Sequence, residues 1–398
     1  ENLEGHQMPH MMKRRHFCML SFFLSFGALT FSVSAKEAGT PRGTGTPRRT
    51  GTPRRTRTGT ARRTGTVLKV GPGQAFERIE DAVQAAGPNT EIVVYPRKNG
   101  EPYTQVHVLV RTPKLTIRAA DPKRPVVLDG EGFDYSGAGS IPRAIVQFSA
   151  GADGGKLIGF ILQNAHNQTH NAAGVRISQA NGVTVSRCVI CANDMGIMSD
   201  GSALQKTGAD QKIEDCEIVR NGALEDAGFN HNLYLGGDSA EVSRCEIAWP
   251  LTGHNLKSRV HRLTVSNCFI HDSANRELDL VDSKENTDQP QSDVLLEGNR
   301  IVKDPNCRGN KNVIHFGSDQ GVRHDGILTL RKNHIVTPFS SPVIDLSDGN
   351  GLVLQKNRFS DAGSGSRAPL VQKRAENEIS IRGSGNQFPE NFILPVSR

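Results

Sequence analysis

Between Phe160 and Asn357 the chain repeats one short pattern, apolar-x-apolar-x-x-(Phe/Cys/Asn)-x-apolar, as in VTVSRCVI, AEVSRCEI, RLTVSNCFI, VLLEGNRI and LVLQKNRF. The register residues are Phe160, Cys188, Cys216, Cys245, Cys268, Asn299, Asn333 and Asn357, separated by 28, 28, 29, 23, 31, 34 and 24 positions. Apolar and polar residues alternate with period two inside each unit, so the units are strands and not helices. None carries enough apolar surface to bury a face alone, and self-similarity at this period marks units that stack. The pattern predicts an all-β solenoid, a parallel β-helix, with strands of successive coils about 4.8 Å apart.

In such a stack, equivalent inward positions form a file. Thiols pack there as small apolar groups, and asparagine amides can bond one another along the stack. Cys188, Cys216, Cys245 and Cys268 are therefore read as internal packing; metal ligands would not be spread over four coils. A second strand recurs as GVRIS, GIMSD, NLYLG, NLKSR, ELDLV, VIHFG and VIDLS. Its inward apolar positions leave an outward file of Arg176, Met198, Tyr234, Lys257, Asp279, His315 and Asp345. Counting two residues either way along the same face adds Asn232, Asn255, Arg259 and Glu277.

Ahead of the repeat, VLKVGPG reads as a strand and a turn. FERIEDAVQAAG follows with Phe76, Ile79, Val83 and Ala86 at helical spacing. Then come the strands EIVVYP, VHVLV and KLTIRAA. A helix here would cap the open end of the first coil, where unpaired strand edges invite aggregation.

Charge changes the picture only at the front of the chain. Residues 1–38 read as a leader with an export signal from Met11 to Ala35: Lys13, Arg14 and Arg15, an apolar run, then Val33-Ser34-Ala35. Residues 39–66 are a degenerate GTPRRT repeat with eight arginines, a basic low-complexity linker that cannot build a core. Of the net +7, the linker holds +8 and residues 1–38 hold +1, which leaves 7 − 8 − 1 = −2 for the solenoid domain, 67–398. The basic character is the linker's, and the folded part has no basic face with interleaved aromatics, so specific nucleic-acid recognition is not expected. A secreted, periplasmic or cell-surface location is expected, with no transmembrane segment after signal cleavage. Cys191 and Cys307 have no partner visible in the sequence, and no essential disulfide is expected. Capped coils need no partner, which points to a monomer.

The run VGPGQAFERIEDAVQAAGPNTEIVVYP followed by KLTIRAADP is similar to the N-terminal capping segment of the pectin-lyase-like right-handed parallel β-helix superfamily. With the coil file, the resemblance spans Val67 to about Phe388. It implies a right-handed helix and, most often, action on acidic polysaccharides outside the cytoplasm, although some members are adhesins or structural proteins. GHNLKSR followed by NRELDL also resembles exported bacterial β-helix proteins grouped with polysaccharide lyases. The paired aspartates, Gly-His-Gly and Arg-x-Lys of polygalacturonases are missing, as is the arginine motif of the main pectate lyases, which argues against pectin.

The outward file suits a uronate lyase. Removing the proton next to a sugar carboxylate needs a base and a cation to take up charge on that carboxylate, and the leaving oxygen needs a proton. Lys257 is the candidate base. Arg259 would hold the carboxylate bidentately and disfavour a second positive charge on Lys257. Tyr234 or His254 is the candidate acid. His231, Asn232, Asn255, Arg276 and His315 are candidates for substrate binding, and the repetition of His231-Asn232 in His254-Asn255 marks this turn. Asp279 would pair with Lys257 unless a bound Ca2+, held by Glu277 and Asp279, freed the lysine.

The leading expectation is an exported lyase acting on a uronic-acid-containing polysaccharide. A glycoside hydrolase using Glu277, Asp279 or Asp345 requires two facing carboxyls. A non-catalytic glycan-binding or structural β-helix is the third reading. Trp249 offers an indole for sugar stacking or for loop packing, and Asn167-Gln-Thr169 matches the glycosylation acceptor pattern.

Overall fold

The computed structural model describes residues 66–393 apart from 227, 286–288, 320, 362–367, 375–377 and 391. The expected signal and, but for Thr66, the basic linker lie outside the described residues. From Val67 onward the chain winds as a parallel β-helix with three faces of parallel strands. One face runs from Val108–Val110 through Ala173–Ser178, Met195–Asp200, Leu278–Val281 and Ile314–Gly317 to Val371–Lys373. A second runs from Val67–Val70 to Ser380–Ser384, and a third from Val126–Asp129 to Arg358–Asp361. Two long strands, Leu233–Ser243 and Leu256–Ser266, pass from the first face into the second without a break and pair along their length.

The repeated sequence pattern is a corner. In each coil the two positions marked x-x end the second face, and the residue just before the file takes a left-handed φ: Arg187 (53°), Asp215 (55°), Arg244 (54°), Asn267 (53°), Gly298 (66°), Lys332 (56°) and Lys356 (55°). That region costs a side-chain-bearing residue about 1 to 2 kcal/mol, and the file behind it supplies the compensating bonds. The backbone N–H of Cys188 donates to Cys216 Sγ at 3.5 Å, and Cys216 and Cys245 do the same to the next thiol. Cys268 N–H then donates to Asn299 Oδ1 at 2.9 Å, and the asparagines continue through Asn333 and Asn357 to Asn386, one coil beyond the pattern read from sequence. Cys188, Cys216, Cys245, Cys268 and Cys307 are free and buried.

The helix is Ile79–Ala85, with Ile79, Ala82 and Val83 buried. It is shorter than the spacing predicted: Phe76 instead bridges to Val70 at the end of the first strand. Among the described residues no helix is long and apolar enough to cross a membrane.

Candidate active site

The outward file on the first face has the predicted register. Gln147 pairs with Arg176, Arg176 with Met198, Met198 with Tyr234, Tyr234 with Lys257, Lys257 with Asp279, Asp279 with His315 and His315 with Asp345. Each is preceded by a buried apolar residue, such as Leu256 before Lys257, and followed by another buried residue, apolar except for Ser199 and Ser258, which fixes the parity of the strand. Arg259, two residues past Lys257, shares this face.

Asn232, Asn255 and Glu277 do not. They precede their strands, at a corner where period-two alternation no longer applies, and they point inward with 0% exposure. Asn193 Nδ2 donates to Asn221 Oδ1 at 3.0 Å, Asn221 to Asn232 at 2.9 Å, Asn232 to Asn255 at 2.9 Å and Asn255 to Glu277 Oε2 at 2.6 Å. Glu277 ends this buried ladder; its Oε1 accepts from Ser273 N–H at 3.0 Å and lies 3.8 Å from the buried Lys303 ammonium. Burial pushes the Glu277 carboxyl up to about 7, against the pull of Lys303. Asn232 and Asn255 are thus corrected from substrate binding to internal support, and Glu277 is corrected from metal ligand or hydrolytic partner to a core residue.

On the outer side, charges converge. Lys257 Nζ is 3.1 Å from Asp279 Oδ2 and 3.2 Å from Asp319 Oδ2. Asp319, from the loop after Ile314–Gly317, also accepts from Arg259 Nη2 at 2.5 Å. Arg259 Nη1 donates to the Tyr234 hydroxyl oxygen at 2.7 Å. Burial would raise the Asp319 carboxyl, but Arg259 and Lys257 hold it below its usual range. The side chains of Arg259 and Asp319 keep 27% and 22% exposure, and this is the open part of the site.

Behind it stands a drier layer. His231 and His254 stack with ring centroids 5.0 Å apart, and His231 Nδ1 accepts from the His254 backbone N–H at 3.0 Å. Gly253 makes this possible, since a Cβ there would collide with the Asn230 carbonyl and stand 2.6 Å from His231 Nδ1. Burial holds His254 down at about 4 and His231 well below its usual value, so both imidazoles are neutral at pH 7. His254 Nε2 is 3.6 Å from Asp279 Oδ2. Asp279 Oδ1 is met by His315 Nδ1 at 2.8 Å and Arg276 Nη1 at 3.1 Å. Burial works against the Asp279 charge, yet the His315 hydrogen bond and the Lys257 ammonium outweigh it and keep the carboxyl well below its usual range. Asp345, two rungs beyond Asp279, is clamped by Arg374 through bonds of 2.7 and 2.6 Å. His315 and Arg276 therefore organise carboxylates.

Of the residues singled out in the sequence, Tyr234, Lys257, Arg259, His231, His254, Asp279, Arg276 and His315 come together; Asn232, Asn255 and Glu277 lie beneath them. Ca2+ does not fit: Glu277 is inside the coil, and both Asp279 oxygens face cationic or imidazole donors. Asp319 and Arg374 were missed, because nothing in their local sequence ties them to this face. Trp249 packs in its loop, edge-on to His271 at 4.8 Å and under the Arg220 guanidinium. The Asn167 amide is held by the Tyr135 carbonyl and Asn171 at 2.9 Å each.

No protein-family model and no curated protein matches the chain. Among solved structures, an alginate lyase from Paenibacillus sp. str. FPU-7 matches at 15% identity over 78% of this chain and 96% of its own, with a TM-score of 0.50. The fold is the pectin-lyase-like right-handed parallel β-helix. Pectate lyase Pel9A matches at 15% identity, 83% and 79% coverage and a TM-score of 0.45. Pectin methylesterase PemA from Erwinia chrysanthemi matches at 10% identity, 84% and 94% coverage and 0.40. A fold does not by itself fix a chemistry.

Proposed function

We propose that the protein is an exported lyase that cleaves a uronic-acid-containing polysaccharide by β-elimination. The observation that supports this most is the Asp319 carboxylate lying across Arg259 and Lys257 beside the Tyr234 hydroxyl: the position receives a carboxylate and has proton-transfer groups next to it. In the reaction, a uronate carboxylate takes the place of Asp319 on Arg259. A base then removes the proton next to that carboxylate, the carbon–oxygen bond to the neighbouring sugar breaks, a carbon–carbon double bond forms, and the departing oxygen takes a proton. The ion pairs of Lys257 favour the opposite of the roles expected from sequence. Lys257, whose ammonium lies between Asp279 and Asp319, gives a proton to the leaving oxygen and ends as the amine, while Tyr234, entering the step as a phenolate paired with Arg259, takes the substrate proton and ends as the phenol. The same fold in an alginate lyase is consistent with this class of chemistry.

The test is incubation with alginate, glucuronan, pectate and glycosaminoglycans, following the ultraviolet absorbance of the conjugated uronate. Unsaturated ends from the wild type, lost by roughly 100-fold or more in Tyr234→Phe and Lys257→Ala with the fold intact, are the expected result. Saturated ends alone would refute elimination. Glycan binding that survives in Lys257→Ala, with no turnover by any form, would leave a binding protein.

A further inference from the structure

Three rungs before Lys257, the same outward file enters a cleft of about 200 Å³ lined by Arg111, Arg143 and Arg176 together with Leu109 and Gln147. Register ties it to the site: Leu109 pairs with Gln147, Gln147 with Arg176, and Arg176 leads through Met198 and Tyr234 to Lys257. No acidic side chain lines it among the described residues. Arg176 is held from one side by Asp200 at 3.3 Å and by Ser178. Arg143 leans on the Ser136 carbonyl, a neutral partner, at 3.2 Å. Its placement is built in: Gly137, at φ +73°, leaves the space that the Arg143 side chain fills, and any Cβ there would overlap it. Burial weakens the Arg176 guanidinium's hold on its proton, Asp200 offsets part of that, and the charge of Arg143 acts in the same direction as the burial. Repelling cations kept together with too few counter-charges make a receptor for an anion.

We propose that this cleft is a second subsite for the glycan, binding a carboxylate or sulfate group about 14 Å, three rung spacings, from the Lys257 rung. It rests on the lyase reading only for the direction of the chain along the file. The substrate class it selects is a glycan with acidic groups at repeated positions; an isolated uronate in a neutral chain would leave the arginines unmatched. Arg111, exposed at the rim, and Arg143, half-buried, are the recognition residues, and Gly137 is a positioning residue for Arg143.

The experiment is calorimetric titration of the full protein, at fixed ionic strength, with size-defined di-, tetra- and hexasaccharides from alginate, polygalacturonate and heparin. Arg111→Ala and Arg143→Ala are compared with the wild type after thermal melts show them folded. Affinity for the longest acidic probe that binds should fall about tenfold in each variant, the loss growing with probe length and shrinking with added salt. A loss equal at every length, no loss, or no binding of any acidic probe overturns the subsite. The lyase reading is scored separately: unsaturated product with unchanged affinity in both variants sinks the subsite alone, and a length-dependent loss without unsaturated product sinks the lyase alone.

Discussion

Asp319 Oδ2 stands 3.2 Å from Lys257 Nζ although 62 residues of chain separate the two. The same oxygen caps Arg259, so the two cations best placed to hold a uronate already share a carboxylate. Substrate must compete with this side chain. Asp319→Asn keeps the shape and removes the charge, and it should tighten binding of an acidic oligosaccharide roughly three- to tenfold, about 1 kcal/mol for a partly exposed pair. Titration calorimetry reads this directly. Weaker binding by the variant would mean that Asp319 serves to orient the cations and does not compete.

Asn232 should behave as a structural residue. Its Oδ1 accepts both the Asn221 side-chain amide at 2.9 Å and the Asn221 backbone N–H at 3.2 Å, all out of reach of water. Asn232→Ala leaves the Asn221 backbone N–H buried and unmatched and takes a donor from Asn255 Oδ1 and from the Ala248 carbonyl, at a cost of about 3 kcal/mol. Denaturant unfolding should show that loss, together with a lower midpoint. Unchanged stability with lost glycan binding would return Asn232 to the substrate.

These two residues mark how far the sequence could be read. Strand parity was legible wherever inward apolar neighbours bracket a position, as Leu233 and Leu235 bracket Tyr234 and Leu278 and Leu280 bracket Asp279, and so the order Tyr234, Lys257, Asp279 followed. Parity failed at Asn232, Asn255 and Glu277 because the chain turns before each strand. The repeated His-Asn pair drew attention to chemistry, but its asparagine half continues a ladder that starts at Asn193 and Asn221, 28 residues apart. Asp319 was not legible at all: a loop sets its position, and loop shape is not encoded by a two-residue period.

The file at the corner should accept asparagine in place of sulfur where the two kinds meet. Cys268 is the last thiol, and its N–H already donates to Asn299 Oδ1. In Cys268→Asn the new amide can donate to that oxygen, as Asn299 does to Asn333 at 3.0 Å, while its own oxygen receives the Cys245 N–H. The change should cost less than about 1 kcal/mol. Cys216→Asn, between two thiols that cannot accept an amide well, should cost about 2 to 3 kcal/mol. Thermal melts compare the two, and equal losses would contradict the ladder account.

Stability against pH offers a test of the dry layer behind Lys257. The His254 imidazole is held by burial at about 4, below its usual 6.5, so the unfolded chain takes up a proton in this interval and the folded one does not. Its contribution is complete above pH 6.5 and is lost as pH falls towards 4, amounting to about 3 kcal/mol for a shift of this size. Glu277 acts with the opposite sign. Its folded value of about 7 lies above its usual 4.5, so the stability linked to it is present below pH 4.5 and is lost as pH rises through 7. The two trends offset each other in the wild type, which makes the total curve a poor probe. His254→Gln removes one of them. At pH 7 the variant should be less stable than the wild type, and that deficit should shrink by about 3 kcal/mol on going to pH 4. A deficit that stays constant with pH would show that His254 protonates in the folded protein as it does in the unfolded chain, and the stacked pair with His231 would then have to be accessible to water.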